Sequence, residues 1–184
     1  MTSRKQTTDG GDANGYTTAY TYKLNGALDE ETYPSTRVVK NQLDSNGDLS
    51  IVRSKKDSSH LYWNYAQNFV YNASGAVTSM ELGNGRWEST SFNSRLQPYQ
   101  IALGTLRDAT DQLKLNYDYG TTANNGNVLS QTITVTGTGG FTAVQNYTYD
   151  SLNRLQMAVE RPSGWNDTNC ASHGDSGQAY DITI

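Results

Sequence analysis

The chain holds one cysteine, three prolines and three phenylalanines in 184 residues. A lone Cys170 excludes an internal disulfide and leaves the redox compartment open. Eighteen consecutive apolar residues occur nowhere, and the first fifteen residues are polar and Gly-rich, so neither a membrane helix nor a signal peptide is expected. Charge is sparse as well. With 17% charged residues and a formal net charge of −4, the chain lacks the basic stripe of a nucleic-acid binder. Arg53, Lys55 and Lys56 form the only basic cluster, read as a solvated sheet edge that blocks stray strand pairing. Hydrophobic residues reach only 35% with Tyr counted, below the share of a densely packed domain. Thirteen Tyr, seventeen Gly and seventeen Asn point instead to amphipathic strands and turns.

What is present is a repeated phrase. Tyr149-Asp-Ser-Leu-Asn-Arg-Leu155 has relatives along the chain at intervals of roughly 20 to 30 residues. They align on an aromatic or apolar residue, a Gly or Asn four residues later, and an aliphatic residue two beyond that. Tyr22/Gly26/Leu28, Leu43/Gly47/Leu49, Tyr71/Gly75/Val77 and Tyr149/Asn153/Leu155 fit without gaps. Phe92 to Leu96 reads as a copy short of two residues, and Tyr119 to Gly126 and Val128 as one with three extra. The spacing has a physical sense: the first residue ends a strand, Asp or Asn next bonds its own backbone, and Gly or Asn supplies the positive φ that reverses the chain.

A second set of turns alternates with the first, at Tyr33-Pro-Ser-Thr-Arg37 and Leu82-Gly-Asn-Gly-Arg86. Asn84-Gly85 is read as a two-residue hairpin turn with positive φ at both positions. The zigzag implies an all-β antiparallel meander, a single continuous twisted sheet over residues 16–160 with about ten to twelve strands. Its turns are placed at 24–27, 34–37, 45–48, 73–76, 83–86, 93–95 and 151–154. Residues 60–65 and 68–71 read as two aromatic strands flanking a short turn. The Leu103, Leu106, Ala109 and Leu113 spacing suits a helix, but the Thr and Asp content of 105–114 favours a polar hairpin loop. Residues 129–136 make the clearest strand, with Ile133 and Val135 alternating with Thr.

Together these phrases resemble the Rhs or YD-repeat proteins, found in bacterial Rhs and insecticidal toxin complexes and in teneurins. The match covers about residues 16–160. The resemblance implies a curved ribbon of YD-repeat hairpins forming part of a hollow β-shell around a cargo polypeptide, often the chain's own C-terminal toxin. It implies neighbouring repeats as partners, a secreted or cell-surface parent, no enzyme activity and no cofactor. The family's shell-closing self-cleavage motif has no match here. Residues 1–15 are expected as a disordered lead and 161–184 as an irregular tail in which the period disappears.

Apparent chemical motifs have plainer readings. Gly174-Asp-Ser-Gly177 copies the tetrapeptide around a serine-protease nucleophile, with Asp57 and His60 as imagined partners, yet Ser176 lies eight residues from the end and the flanking segments do not fit. Cys170 and His173, with Asp175 nearby, supply half of a zinc site without the other half. Asp44-Ser-Asn-Gly-Asp48 hints at calcium, but its place in the repeat makes it a turn. Asn72, Asn146 and Asn166 head glycosylation sequons that an Asn-, Ser- and Thr-rich chain forms by chance. Tyr62, Trp63, Tyr65 and Trp87 are the candidate binding residues: on an exposed sheet face they would form a glycan platform, whereas cross-strand packing is the plainer role. A cell-surface recognition module that binds glycan or protein through this aromatic sheet face is therefore the competing function class.

Overall fold

The computed structural model describes residues 2–7, 11, 15–162 and 181–183. The chain divides into two compact units, Met1–Arg86 and Trp87–Ile184. The first contains β1 (Thr2–Gln6), β2 (Tyr16–Tyr22), β3 (Leu28–Thr32), β4 (Val38–Leu43), β5 (Leu49–Lys55), β6 (Trp63–Tyr71) and β7 (Val77–Leu82). The second contains β8 (Trp87–Phe92), β9 (Pro98–Gly104), β10 (Leu113–Asp118), β11 (Ser130–Val135), β12 (Phe141–Tyr149), β13 (Leu155–Pro162) and β14 (Asp181–Thr183). Within each unit every strand pairs antiparallel with its sequence neighbours, and no helix occurs among the described residues. The architecture is thus the all-β meander that the alternating turns imply, with twelve strands between Tyr16 and Pro162.

Seven loops share one geometry. In Lys23–Ala27, Tyr33–Arg37, Asp44–Asp48, Asn72–Ala76, Leu82–Arg86, Asn93–Gln97 and Asp150–Arg154, the first N–H donates to the fifth carbonyl and the fourth N–H donates to the first carbonyl. The fourth residue is left-handed each time: Gly26, Thr36, Gly47, Gly75, Gly85, Leu96 and Asn153, with φ between 59° and 91°. This is the three-residue hairpin loop, a tight turn followed by one residue at positive φ. The first side chain explains the Asp or Asn of the phrase. Oδ1 of Asp44, Asn72, Asn93 and Asp150 accepts from the backbone N–H groups two and four residues on, so one oxygen closes the loop. At Asp150 the Arg154 N–H, then its guanidinium, holds the carboxyl below its usual range.

Two turns differ from expectation. Asn84 does not take positive φ; only Gly85 does, at 76°, and Gly83 ends the strand with its N–H on the Tyr65 carbonyl. The Phe92 phrase is not shortened either: Leu96 sits at the left-handed step with φ 59°, and Pro98 occupies the aliphatic step. Leu96 resembles the aliphatic member of the phrase, which hides the register from a comparison by residue type.

Gly47 and Gly75 have the expected positive φ, and a Cβ at Gly75 would meet nothing within 4 Å. Gly75→Val is therefore expected to cost about 1 kcal/mol or more through backbone strain alone. A urea midpoint equal to that of the parent would show that the backbone there tolerates a β-branched residue.

One further expectation is corrected. The turn between two aromatic strands at 60–71 is a bulge inside one strand: β6 runs unbroken through Asn68 at φ 55°, and pairing with β7 slips between Gln67 and Val70. Asn tolerates the left-handed region, and Asn68 Nδ2 anchors it by donating to Glu81 Oε2 at 2.7 Å. Within residues 1–15, β1 pairs with Tyr16–Tyr20 of β2. The tail supplies β14, paired with Met157–Val159, while residues 163–180 lie outside the described residues.

Little is deeply buried. Among the described residues only Val38, Ser54, Ser79, Ala102, Gly104 and Ala143 are buried, all small, and no large side chain is fully buried. Neighbouring phrases are instead tied by tyrosine hydroxyls. Tyr71 Oη donates to the Leu49 carbonyl at 2.7 Å, Tyr119 Oη to Pro98 at 2.9 Å, and Tyr149 Oη to Val128 at 2.8 Å. Each links the first residue of one phrase to the third residue of the phrase before. Burial raises the ionisation of Tyr71 and Tyr119 above the ordinary tyrosine value.

Candidate functional site

Of the four expected aromatic residues, Tyr62, Trp63 and Tyr65 belong to the first unit and Trp87 to the second. Trp63 and Tyr65, on β6, line a shallow cleft of 230 Å3 with Arg37, Lys56, His60 and Leu61. Trp63 is 77% exposed and Tyr65 53% exposed. Cross-strand pairing sets Trp63 opposite Ser54, and Arg37 Nη1 joins the two strands by donating to Ser54 Oγ at 3.1 Å and Tyr65 Oη at 3.0 Å. Trp87 is half-buried in β8, in the second unit, where it pairs with Gly104.

Tyr62 belongs to a different cluster. Arg53 Cζ lies 5.0 Å and Lys55 Nζ 4.8 Å from its ring centroid, and its hydroxyl donates to Glu30 Oε1 at 3.0 Å. Lys40 Nζ completes the group at 2.8 Å from Glu30 Oε1 and 3.4 Å from Asp29 Oδ2. Hydrogen bonding from Lys40, opposed by burial and aided by Tyr62, lowers the Glu30 ionisation; Glu30 in turn raises that of Lys40. The basic residues Arg53 and Lys55 are therefore not a solvated sheet edge. β5 pairs on both sides, with β4 and β6, and the two cations cover an aromatic ring.

The imagined hydrolytic pair, Asp57 and His60, is in direct contact on an exposed loop. Asp57 Oδ1 lies 2.7 Å from His60 Nδ1 and accepts from Ser59 N at 2.8 Å and Ser59 Oγ at 2.6 Å. Ser59 Oγ is also 3.3 Å from the same Nδ1, so Asp57, Ser59 and His60 form one local hydrogen-bonded group. Those donors hold the Asp57 carboxyl far below its usual range, the Ser59 hydroxyl first and the His60 ring next. Ser176 lies outside the described residues, as do Cys170, His173, Asp175 and Asn166.

Among the described residues no group of three or more His, Cys, Asp and Glu could hold a metal ion. Asp44–Asp48 is the hairpin loop described above. Asn72 is occupied in its own loop, accepting from Ser74 N, Ser74 Oγ and Ala76 N, and Asn146 lies within β12. Among the described residues no helix is long and apolar enough to cross a membrane. Arg37 is the site residue that sequence reasoning missed. It stands 28 residues from Tyr65, and only the strand register brings the two together.

No protein-family model and no curated protein matches the sequence. Solved structures do. The chain superposes on a chain of the TcdB2-TccC3-Cdc42 crystal structure with a TM-score of 0.65 at 22% identity, covering 80% of this chain and 7% of that one. It superposes on TcdB2-TccC3 without its hypervariable C-terminal region with a TM-score of 0.59 at 16% identity, covering 83% of this chain and 9% of that one. A Photorhabdus luminescens Tc holotoxin pore gives a TM-score of 0.58 at 17% identity over 80% of this chain and 9% of that one. The chain thus spans less than a tenth of each of these three chains. It carries the fold of Tc toxin-complex chains, which are Rhs/YD-repeat shell proteins, and so has the fold to which its Tyr-Asp phrases point.

Proposed function

We propose that this chain is a non-enzymatic length of Rhs/YD-repeat wall whose parent encloses a cargo or toxin polypeptide. The observation that carries the reading is the tie between consecutive phrases, Tyr71 to Leu49, Tyr119 to Pro98 and Tyr149 to Val128. Repeats fixed to their neighbours around small buried residues suit a wall, in which each hairpin is stabilised by the next. The wall acts by geometry: paired backbones separate what lies on its two sides, and no residue takes part in chemistry. Its partners are the adjoining repeats and the enclosed polypeptide. The destination is that of a secreted or surface-exposed toxin complex.

A second reading has its own observation. Trp63 and Tyr65 stay exposed beside an Arg37 fixed by two hydrogen bonds, which a wall does not require and a recognition module does.

Size-exclusion chromatography with light scattering on untagged protein separates the two. A piece of wall leaves a row of unpaired backbone groups on the outer side of β1, whose residues are all exposed. Self-association or a broad, shallow melt is the expected result. A sharply melting monomer across about a hundredfold dilution would overturn the wall reading in favour of the recognition module, because a binding domain must fold alone.

A further inference from the structure

The cleft at Arg37, Trp63 and Tyr65 has no task in a wall. Its basic side is not neutralised: none of its lining residues is acidic, and among the described residues no carboxylate pairs with Arg37 or Lys56. Asp57, close by in sequence, is already shared between His60 and Ser59. Arg37 is nevertheless held in place. Its Nη1 is committed to Ser54 Oγ and Tyr65 Oη, and its other guanidinium nitrogens have no partner among the described residues. An exposed arginine fixed from one side keeps the planar fork that fits a carboxylate, with its ordering already complete before a ligand arrives. Beside it stands Trp63, 77% exposed. An indole face of that size packs well on an apolar surface such as the CH face of a pyranose ring.

We infer that this cleft binds a carboxylate-bearing sugar, its ring face on Trp63 and its carboxylate on Arg37. The pairing excludes other occupants by chemistry. A neutral sugar would leave Arg37 and Lys56 unused, and a long polyanion such as nucleic acid would meet a chain whose net charge is −4. A uronate and a sialic acid offer the same two features, so both belong to the class. The inference gives a ligand class to the recognition reading and rests on it, while the wall reading stands or falls separately.

The test titrates the intact chain with an oligogalacturonate, with sialyllactose and with a neutral oligosaccharide, following heat by calorimetry and tryptophan fluorescence. Saturable binding of at least one acidic sugar is expected, and which one binds identifies the source. Arg37→Gln should weaken it about tenfold, the effect of losing one charge-assisted carboxylate contact. Trp63→Ala should abolish it, and Arg37→Lys should fall between because charge remains and the fork is lost. Both positions are exposed, and circular dichroism checks that the variants keep their sheet. Acidic-sugar binding indifferent to Arg37 and Trp63 overturns the inference. Neutral-sugar binding that needs Trp63 but not Arg37 overturns it while keeping the recognition reading. Binding of none of the three at millimolar concentration overturns the inference and leaves the recognition reading with a protein ligand.

Discussion

Gly104→Ala is expected to lose roughly 3 kcal/mol of stability, although alanine is the smallest possible change. Gly104 is buried at the end of β9, and the loop that follows folds back over it: a Cβ there would collide with the Ala109 carbonyl oxygen and sit 2.7 Å from Ala109 Cβ. The loop cannot lift away freely. Thr105 N donates to Asp111 Oδ1 at 2.8 Å, and Gln112 N donates to the Leu103 carbonyl at 3.1 Å, so both ends of the loop are tied to the strand. Gly104 is not among the positive-φ glycines, which makes the cost one of space and not of backbone conformation. The contrast with Gly75 checks the cause. A Cβ at Gly75 meets open space at φ 82°, so Gly75→Ala should cost only about 1 kcal/mol. Equilibrium urea unfolding measures both. If Gly104→Ala lies within about 0.5 kcal/mol of the parent, the loop moves without resistance and the close approach is not a constraint.

Gly104 also shows what the sequence conceals. The turns were legible because their requirement is local: one Asp or Asn oxygen and one left-handed residue sit within five positions, and both are residue types that few other local structures favour. Where those types were replaced, legibility failed. Leu96 at the left-handed step shifted the reading of its phrase, and the bulge at Asn68 lies inside a strand that was read as two strands with a turn between them. Close approaches such as that of Ala109 to Gly104 depend on the path of a loop, which no spacing encodes. The candidate site was half legible for the same reason. Trp63 and Tyr65 stood out as an aromatic run, but Tyr62, adjacent in sequence, turned to the Glu30 and Lys40 cluster. Arg37 joined through a strand register that only the paired sheet supplies. Periodicity reports which side chains share a strand; it does not report which partner strand lies opposite.

Replacing Tyr71, Tyr119 and Tyr149 together by Phe should cost about 3 kcal/mol, near 1 kcal/mol for each hydroxyl, because the rings remain and only the hydrogen bonds are lost. Each hydroxyl reaches a carbonyl in the preceding phrase, so the change weakens the coupling between repeats and leaves the loops themselves intact. The three sites share no partner, which makes their effects additive to a good approximation. The matching control is Tyr16, Tyr22 and Tyr99 to Phe. These are exposed, at 46%, 54% and 45%, and their hydroxyls make no hydrogen bond among the described residues. Tyr22 is the informative member, since it opens a phrase and its hydroxyl makes no hydrogen bond among the described residues. The control set should stay within about 0.5 kcal/mol of the parent. If the two sets unfold at the same urea concentration, phrase tyrosines act through ring packing alone, and the repeat-to-repeat tie that supports the wall reading is removed. If the phrase set alone is destabilised, the Tyr that opens each Tyr-Asp phrase has a physical reason that Phe cannot replace. It ends its own strand and holds the phrase before it.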